Sequence, residues 1–295
     1  MKARYRQLPK AVCYVLVYGL ILFGVFGWWQ EIRADGAGGD VGNDSVPQNA
    51  FHLEKENHQG HHRHQPLPWQ PTSATQAFAE QPEIRIAESQ RAEVDCTKVA
   101  CIALTFDDGP EPTATNVLLD SLAKHQAVAT FFLIGNRAAA HPSLVKRMVL
   151  GGNEIGNHSF AHPFLTKIPP EQIDDQVAKA QQAIVAAGAP APIAMRPPYG
   201  AMNKTVTDRV NMPLVLWNVD PHDWAEKDPN KIALAVTSQA KQGCILLLHE
   251  RPTTAAAMDA ILSDLQKRFV LVTVNKLLGL KPESRGQFFS QYTSR

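Results

Sequence analysis

The stretch V-A-C-I-A-L-T-F-D-D-G-P, Val99 to Pro110, decides the fold. Val99–Phe106 is apolar and β-favouring, and it stops abruptly at two carboxylates, a glycine and a proline. Such a run reads as a buried strand whose C-terminal end opens into a turn. Behind it, Thr113–Lys124 carries Val117, Leu118, Leu122 and Ala123 at helical spacing. The alternation then repeats. Strands are expected at Val128–Ile134, Glu154–Asn157, Pro192–Met195, Leu214–Val219, Cys244–His249 and Phe269–Val274. Helices are expected at Arg137–Leu150, Glu171–Ala187, Asn230–Lys241 and Thr254–Lys267. Strands alternating with helices predict an α/β domain with a parallel sheet and crossover helices. In such folds the chemistry collects where strands end and loops begin.

Five strand ends carry polar residues worth reading. Asp107 and Asp108 suit an ordinary turn, but adjacent carboxylates can also divide labour, one on a metal and one as base. His158 and His162 stand four apart, which on a helical turn puts two imidazoles on one face. Alone the pair is a common coincidence. With Asp108 it makes a two-His, one-carboxylate set with open positions, the pattern of a catalytic rather than a structural metal site. Arg196-Pro197-Pro198-Tyr199-Gly200 is either a surface loop or a rigid placement of a guanidinium against a carboxylate. Asp220-Pro221-His222-Asp223-Trp224 suits an exposed binding loop, and His249 closes a nearly all-apolar strand, where a satisfied core histidine is the plain reading.

Taken together and in order, these five segments resemble the motifs of the polysaccharide deacetylase family (carbohydrate esterase family 4), over roughly residues 100–275. The resemblance implies a distorted (β/α) barrel and metal-dependent removal of acetyl groups from N- or O-acetylated sugars. It implies Asp107 as general base, Arg196 as its orienting partner, and Asp108, His158 and His162 as ligands of a divalent metal, usually zinc. His249 becomes the general acid, tuned by Asp223. The Tyr199 N–H serves the oxyanion, and Trp224 and Leu247 line the pocket for the acetyl methyl. The family's usual Asp after the last histidine is Glu250 here, a departure that touches no catalytic role.

Outward from this core the chain changes character. Ala11–Trp29 is a 19-residue run without charge, roughly 28 Å as a helix and long enough to cross a bilayer. Lys2, Arg4, Arg6 and Lys10 precede it, so residues 1–10 are expected in the cytoplasm and the rest outside. Ala34 and Gly36 keep a cleaved signal peptide open as the alternative. The expected organisation is a tip and membrane or signal segment (1–30), a disordered linker (31–95), a catalytic domain (96–285) and a C-terminal tail (286–295). The domain would then sit outside the cytoplasm on a single-pass inner-membrane anchor, or be secreted after cleavage. In the linker, His58, His61, His62 and His64 either bind metal loosely or are solvated.

Composition is compatible with this. Of 295 residues 44% are hydrophobic and 19% charged, with a net charge of +1. Four of the cations lie in the first ten residues, so the remainder is slightly acidic, which argues against nucleic-acid binding. Cys96 and Cys101 can close a small disulfide loop outside the cytoplasm, or remain free thiols. Two other functions stay in view: a non-catalytic, membrane-tethered glycan-binding module, and a metal-dependent amidohydrolase acting on small amides or ureides.

Overall fold

The computed structural model describes residues 94–291 and the backbone of residues 293–294. The expected membrane segment and nearly all of the expected linker, with its histidine cluster, lie outside the described residues. Among the described residues, no helix is long and apolar enough to cross a membrane.

The domain is α/β with a parallel sheet. Its first strand, β1 (Cys101–Asp107), is buried throughout. It pairs in parallel with β2 (Thr130–Leu133), β5 (Ile245–His249) and, at its N-terminal end, β6 (Val270–Val272). β3 (Glu154–Asn157) pairs with β2. Single parallel bridges carry the order onward, from Asn157 to Met195 and from Met195 to Leu214 in β4 (Leu214–Val215). A further bridge joins Val219 to Leu246 in β5. The neighbours thus trace a circuit that returns to β5.

Alternation along β1 separates two environments, because successive side chains point to opposite faces. Ile102, Leu104 and Phe106 join the large core cluster with Leu118 and Leu122 of α1 (Pro112–Lys124) and Met258, Ile261 and Leu262 of the later helix Pro252–Leu265. Ala103 faces the other way, into a smaller cluster with Phe132, Val215, Ile245 and Val272. Thr105 and Asp107 continue that second face. The inner surface therefore turns from apolar to polar as β1 runs toward its C-terminal end, and the same holds for Ile245, Leu247 and His249 in β5. Asp107 pairs in register with His249.

Three expectations need correction. The single helix Arg137–Leu150 is two, α2 (Gly135–Ala140) and α3 (Pro142–Leu150). Pro142 cannot donate the bond that would continue α2, and it starts the next helix instead. The strand expected at Pro192–Met195 shrinks to the Met195 bridge. Finally, residues 286–295 are no trailing tail. β7 (Gln287–Ser290) pairs with β4, and Thr293–Ser294 pairs with β7, giving a second, three-stranded sheet. Phe288 and Phe289 make that strand half-buried.

Cys96 and Cys101 are joined in a disulfide with their Cα atoms 5.4 Å apart, while Cys244 is a buried free thiol. The loop is short, so its closure restricts the unfolded chain only modestly. Replacing both Cys96 and Cys101 by Ala is expected to lower the unfolding free energy by about 2 kcal/mol at most, measured by guanidinium denaturation.

Candidate active site

Arg196 organises Asp107. Its guanidinium is fully buried, and Nη1 donates to Asp107 Oδ1 at 2.7 Å and to Thr105 Oγ1 at 2.8 Å. Nε donates to the Val215 carbonyl at 3.1 Å and Nη2 to that of Leu216 at 2.9 Å. The plane lies over the Phe132 ring, 4.2 Å from its centroid. Burial pushes the guanidinium below its ordinary value, and the adjoining Asp107 charge opposes that shift. An arginine stays cationic even so. Asp107 is thereby held by one oxygen. Its other oxygen, Oδ2, faces His158 Nε2 at 3.7 Å.

The same residue orients the first histidine. His158 Nδ1 lies 2.7 Å from the Arg196 carbonyl oxygen. A carbonyl only accepts, so Nδ1 carries the proton and Nε2 of the neutral ring presents a lone pair. Nε2 points at Asp108 Oδ1, 3.4 Å away, and His162 Nε2 approaches the same oxygen at 3.2 Å. Asp108 Oδ1 is buried and has no hydrogen-bond partner. The three ligand atoms lie within 4.8 Å of one another. A carboxylate oxygen facing two imidazole nitrogens fits a divalent cation, because a cation satisfies all three donors at once. Burial works to raise the Asp108 carboxyl, but when the His158 and His162 rings are protonated their bonds and charge outweigh it and hold the group well below the usual carboxylate range.

The pair His158 and His162 does not sit on a helical turn, contrary to expectation. The segment after β3 is a loop in which Ser159 and His162 adopt left-handed backbone, with φ of 64° and 59°. That bends the chain back so the rings meet, with centroids 4.9 Å apart. The loop is tied down from α4 (Pro170–Ala186). Gln176 Oε1 accepts from the Phe160 and Ala161 N–H groups at 3.1 and 2.8 Å. Ser159 N donates to Asn157 Oδ1, and Asn157 Nδ2 donates to Gln181 Oε1. Gln176 and Gln181 carry no local signal that marks them as supports; only the folded loop reveals it.

His249 is gripped by Asp223. Its Nδ1 lies 2.8 Å from Asp223 Oδ1, and its backbone N–H donates to Asp223 Oδ2 at 2.8 Å. Thr254 Oγ1 donates to the same Oδ2 at 2.6 Å. Burial tends to lower the His249 value, yet the Asp223 bond and charge, with Asp107 and Asp108 beyond, raise it above normal. The imidazolium is thereby favoured more than in a free histidine, with Nε2 left for substrate.

A cleft of about 480 Å³ opens over these groups, lined also by Tyr199, Trp224 and Leu247. All ten residues expected at the site lie in or directly behind it, with Arg196 and Asp223 as the buried supports. Trp217, Asp220 and Arg251 line the cleft too; from sequence Asp220 is named only as part of its loop, and Trp217 and Arg251 not at all. Tyr199 has left-handed backbone (φ 61°) and stacks on Phe164 at 3.8 Å.

Residues 95–212 match the polysaccharide deacetylase family. Over 160 residues the chain is 39% identical to a chitooligosaccharide deacetylase of Bradyrhizobium sp., covering 53% of this chain and 73% of that protein. The chain belongs to the polysaccharide deacetylase family. It is also 39% identical over 196 residues to the peptidoglycan-N-acetylglucosamine deacetylase PgdA of Listeria monocytogenes, with 66% of this chain and 42% of that protein covered. The chain thus spans less than half the length of that relative. The solved peptidoglycan deacetylase PdaC from Bacillus subtilis has a TM-score of 0.61 at 40% identity, covering 63% of this chain and 93% of that one. The match to the polysaccharide deacetylase family ends at residue 212, before Asp223 and His249. It is the β1–β5 register that brings His249 beside Asp107, and Asp223 joins them through its bonds to His249.

Removing the guanidinium leaves Asp107 a buried, unpaired carboxylate. Arg196→Met is therefore expected to destabilise the fold by about 3–5 kcal/mol, read as a lowered denaturation midpoint at pH 7. A loss below about 1 kcal/mol would refute the ion-pair account.

Proposed function

We propose that the chain hydrolyses acetyl groups from N-acetylated sugars of a cell-envelope polysaccharide, peptidoglycan or chitin-like oligomers, on a distorted (β/α) barrel. One observation carries the reading. A carboxylate held by a buried arginine, a cation-seeking Asp–His–His set and an imidazole held by a carboxylate all open into a single cleft. The names of the relatives support the substrate class, since they act on peptidoglycan N-acetylglucosamine and on chitooligosaccharides. A surviving fold that merely bound glycan would have no need of this full set.

When bound at Asp108, His158 and His162, a divalent ion, zinc by choice, supplies Lewis acidity, polarising the acetamide carbonyl and lowering the pKa of water to about 7. The residues do the rest. Asp107 receives the proton of the attacking water at Oδ2, while Arg196 keeps Oδ1 fixed. The Tyr199 N–H donates to the tetrahedral oxyanion, a contribution of roughly 3–4 kcal/mol for a donor of this kind. His249 Nε2 then hands its proton to the departing amine, and Asp223 stabilises the imidazolium until that moment. Leu247 and Trp224 shape the apolar end of the cleft for the methyl group.

The cellular setting follows from the N-terminal pattern. A pass at Ala11–Trp29 with residues 31–95 as tether holds the domain outside the cytoplasm, and cleavage would release it. The Cys96–Cys101 disulfide supports an oxidising compartment.

Acetate release from chitooligosaccharide and from peptidoglycan, with chelator and then with zinc restored, tests the activity. Release that stops with chelator and returns with zinc is expected. Asp107→Asn should lose at least about 100-fold in kcat and keep metal, whereas His158→Ala should lose both. No release from either polymer by metal-loaded protein would overturn the assignment.

The pH dependence follows from the signs. Asp107 must be ionised and His249 protonated, so the rate rises on the acid side and falls on the alkaline side. Because the His249 value is raised, activity persists below that raised value and is lost as pH climbs through it. Asp223→Asn removes the main raising interaction. Its alkaline limb should move to lower pH in a kcat profile, and an unmoved limb would dismiss His249 as the acid.

A further inference from the structure

Glu250 follows His249 and was expected to touch no catalytic role, yet its side chain occupies a specific seat. It is buried, 4% exposed. Its backbone N–H donates to the Asp107 carbonyl at 3.1 Å, so the chain turns directly beneath the Asp107–Asp108 corner. Glu250 Oε2 accepts from Thr115 Oγ1 of α1, whose own oxygen accepts from the Glu111 N–H at 2.9 Å. Glu250 Oε1 is buried with no hydrogen-bond partner. It lies where a side chain of residue 109 would be, since a Cβ built on Gly109 would stand 1.4 Å from it.

The corner above needs such support. Asp108 adopts φ 73°, a conformation that costs a non-glycine residue on the order of 1 kcal/mol or more. It persists only where its surroundings over-determine it. Two other contacts act on the same turn: Arg137 Nη1 donates to the Asp108 carbonyl at 2.6 Å, and Ile134 N donates to the Gly109 carbonyl at 3.0 Å. These hold the turn from its carbonyl side. Glu250 fills the side on which residue 109 lacks a Cβ.

We infer that Glu250 is a positioning residue: its carboxyl, wedged against Gly109 and anchored on Thr115, sets the left-handed turn that sends Asp107 toward Arg196 and Asp108 toward the two histidines. Burial also pushes the Glu250 carboxyl up to about 8, so the seat holds an uncharged acid at neutral pH and needs no counter-ion. The role is one of shape. It rests on the metal reading above, because its consequence is the aim of a ligand.

The test measures Co²⁺ affinity of the full chain from the visible d–d absorption, with kcat and KM on chitooligosaccharide at saturating metal. Glu250→Ala is expected to weaken Co²⁺ binding at least about tenfold, to change the band intensity, and to lower kcat while KM stays within about twofold. Glu250→Gln keeps the shape and should stay within about threefold of wild type. Gly109→Ala should lose at least about tenfold in affinity through the collision at Oε1, and adding Glu250→Ala to it should recover part of that loss. Wild-type affinity and spectrum in Glu250→Ala, or in Gly109→Ala, would overturn the inference. So would a loss in folded Glu250→Gln equal to that of Glu250→Ala. Should Glu250→Ala show no cooperative unfolding, Gly109→Ala and Glu250→Gln decide it alone. A wild-type chain that binds no Co²⁺ defeats the metal reading itself, and this inference with it, which is a different result from wild-type binding that Glu250 does not influence.

Discussion

The buried guanidinium of Arg196 is the constraint on which the rest of the site depends. It joins β1, through Thr105 and Asp107, to the Val215–Leu216 carbonyls on the far side of the inner surface. Its own backbone carbonyl fixes the tautomer of His158. One residue therefore sets both the direction of Asp107 and the ring nitrogen that His158 turns toward Asp108. A charge so placed is costly unless every donor is used and a counter-charge is near. Here the fork is matched by two carbonyls, a hydroxyl and a carboxylate, and its face rests on Phe132. Lysine cannot reproduce that geometry, because a single ammonium has no planar fork.

The second constraint is parity along the strands. In β1 and β5 every other residue faces inward, and both strands end inward-facing on a chemical group, Asp107 and His249. Their registered pairing puts the carboxylate and the imidazole side by side. A slip of one residue in either strand would turn the carboxylate or the imidazole into the helix-covered core. The helices packed on Ile102, Leu104 and Phe106 forbid such a slip, so the bulk of the hydrophobic core acts on the chemistry through register.

Much of this could be read from the chain. The apolar run before Asp107 and the one before His249 mark central strands, and polar residues at their ends mark the rim, because both signals are local. The helix break at Pro142 was also local, and an uninterrupted helix failed there because proline outweighs apolar spacing. Other features depend on partners far away in sequence. Phe288 and Phe289 look like a tail until β4 supplies an edge. His158 and His162 look like a helical pair because four-residue spacing suits a turn of helix, whereas the folded loop achieves the same proximity with left-handed residues and glutamines from α4. Glu250 gives no sign of its seat, since that depends on the missing side chain of Gly109, more than a hundred residues earlier.

The distribution of backbone strain supports a site shaped for chemistry rather than for stability. Among the described residues, six that are not glycine have positive φ: Asp108, Gln126, Ser159, His162, Tyr199 and His222. All but Gln126 belong to the loops that surround the cleft. Each costs on the order of 1 kcal/mol, and a chain selected for stability alone would place glycine or asparagine at such turns. Glycine would relieve the backbone but remove the carboxylate at 108, the imidazole at 162 and the stacked ring at 199. These positions need both a left-handed backbone and a functional side chain. The strain is thus the cost of aiming the groups, and the close-packed, helix-covered sheet beneath supplies the stability that offsets it.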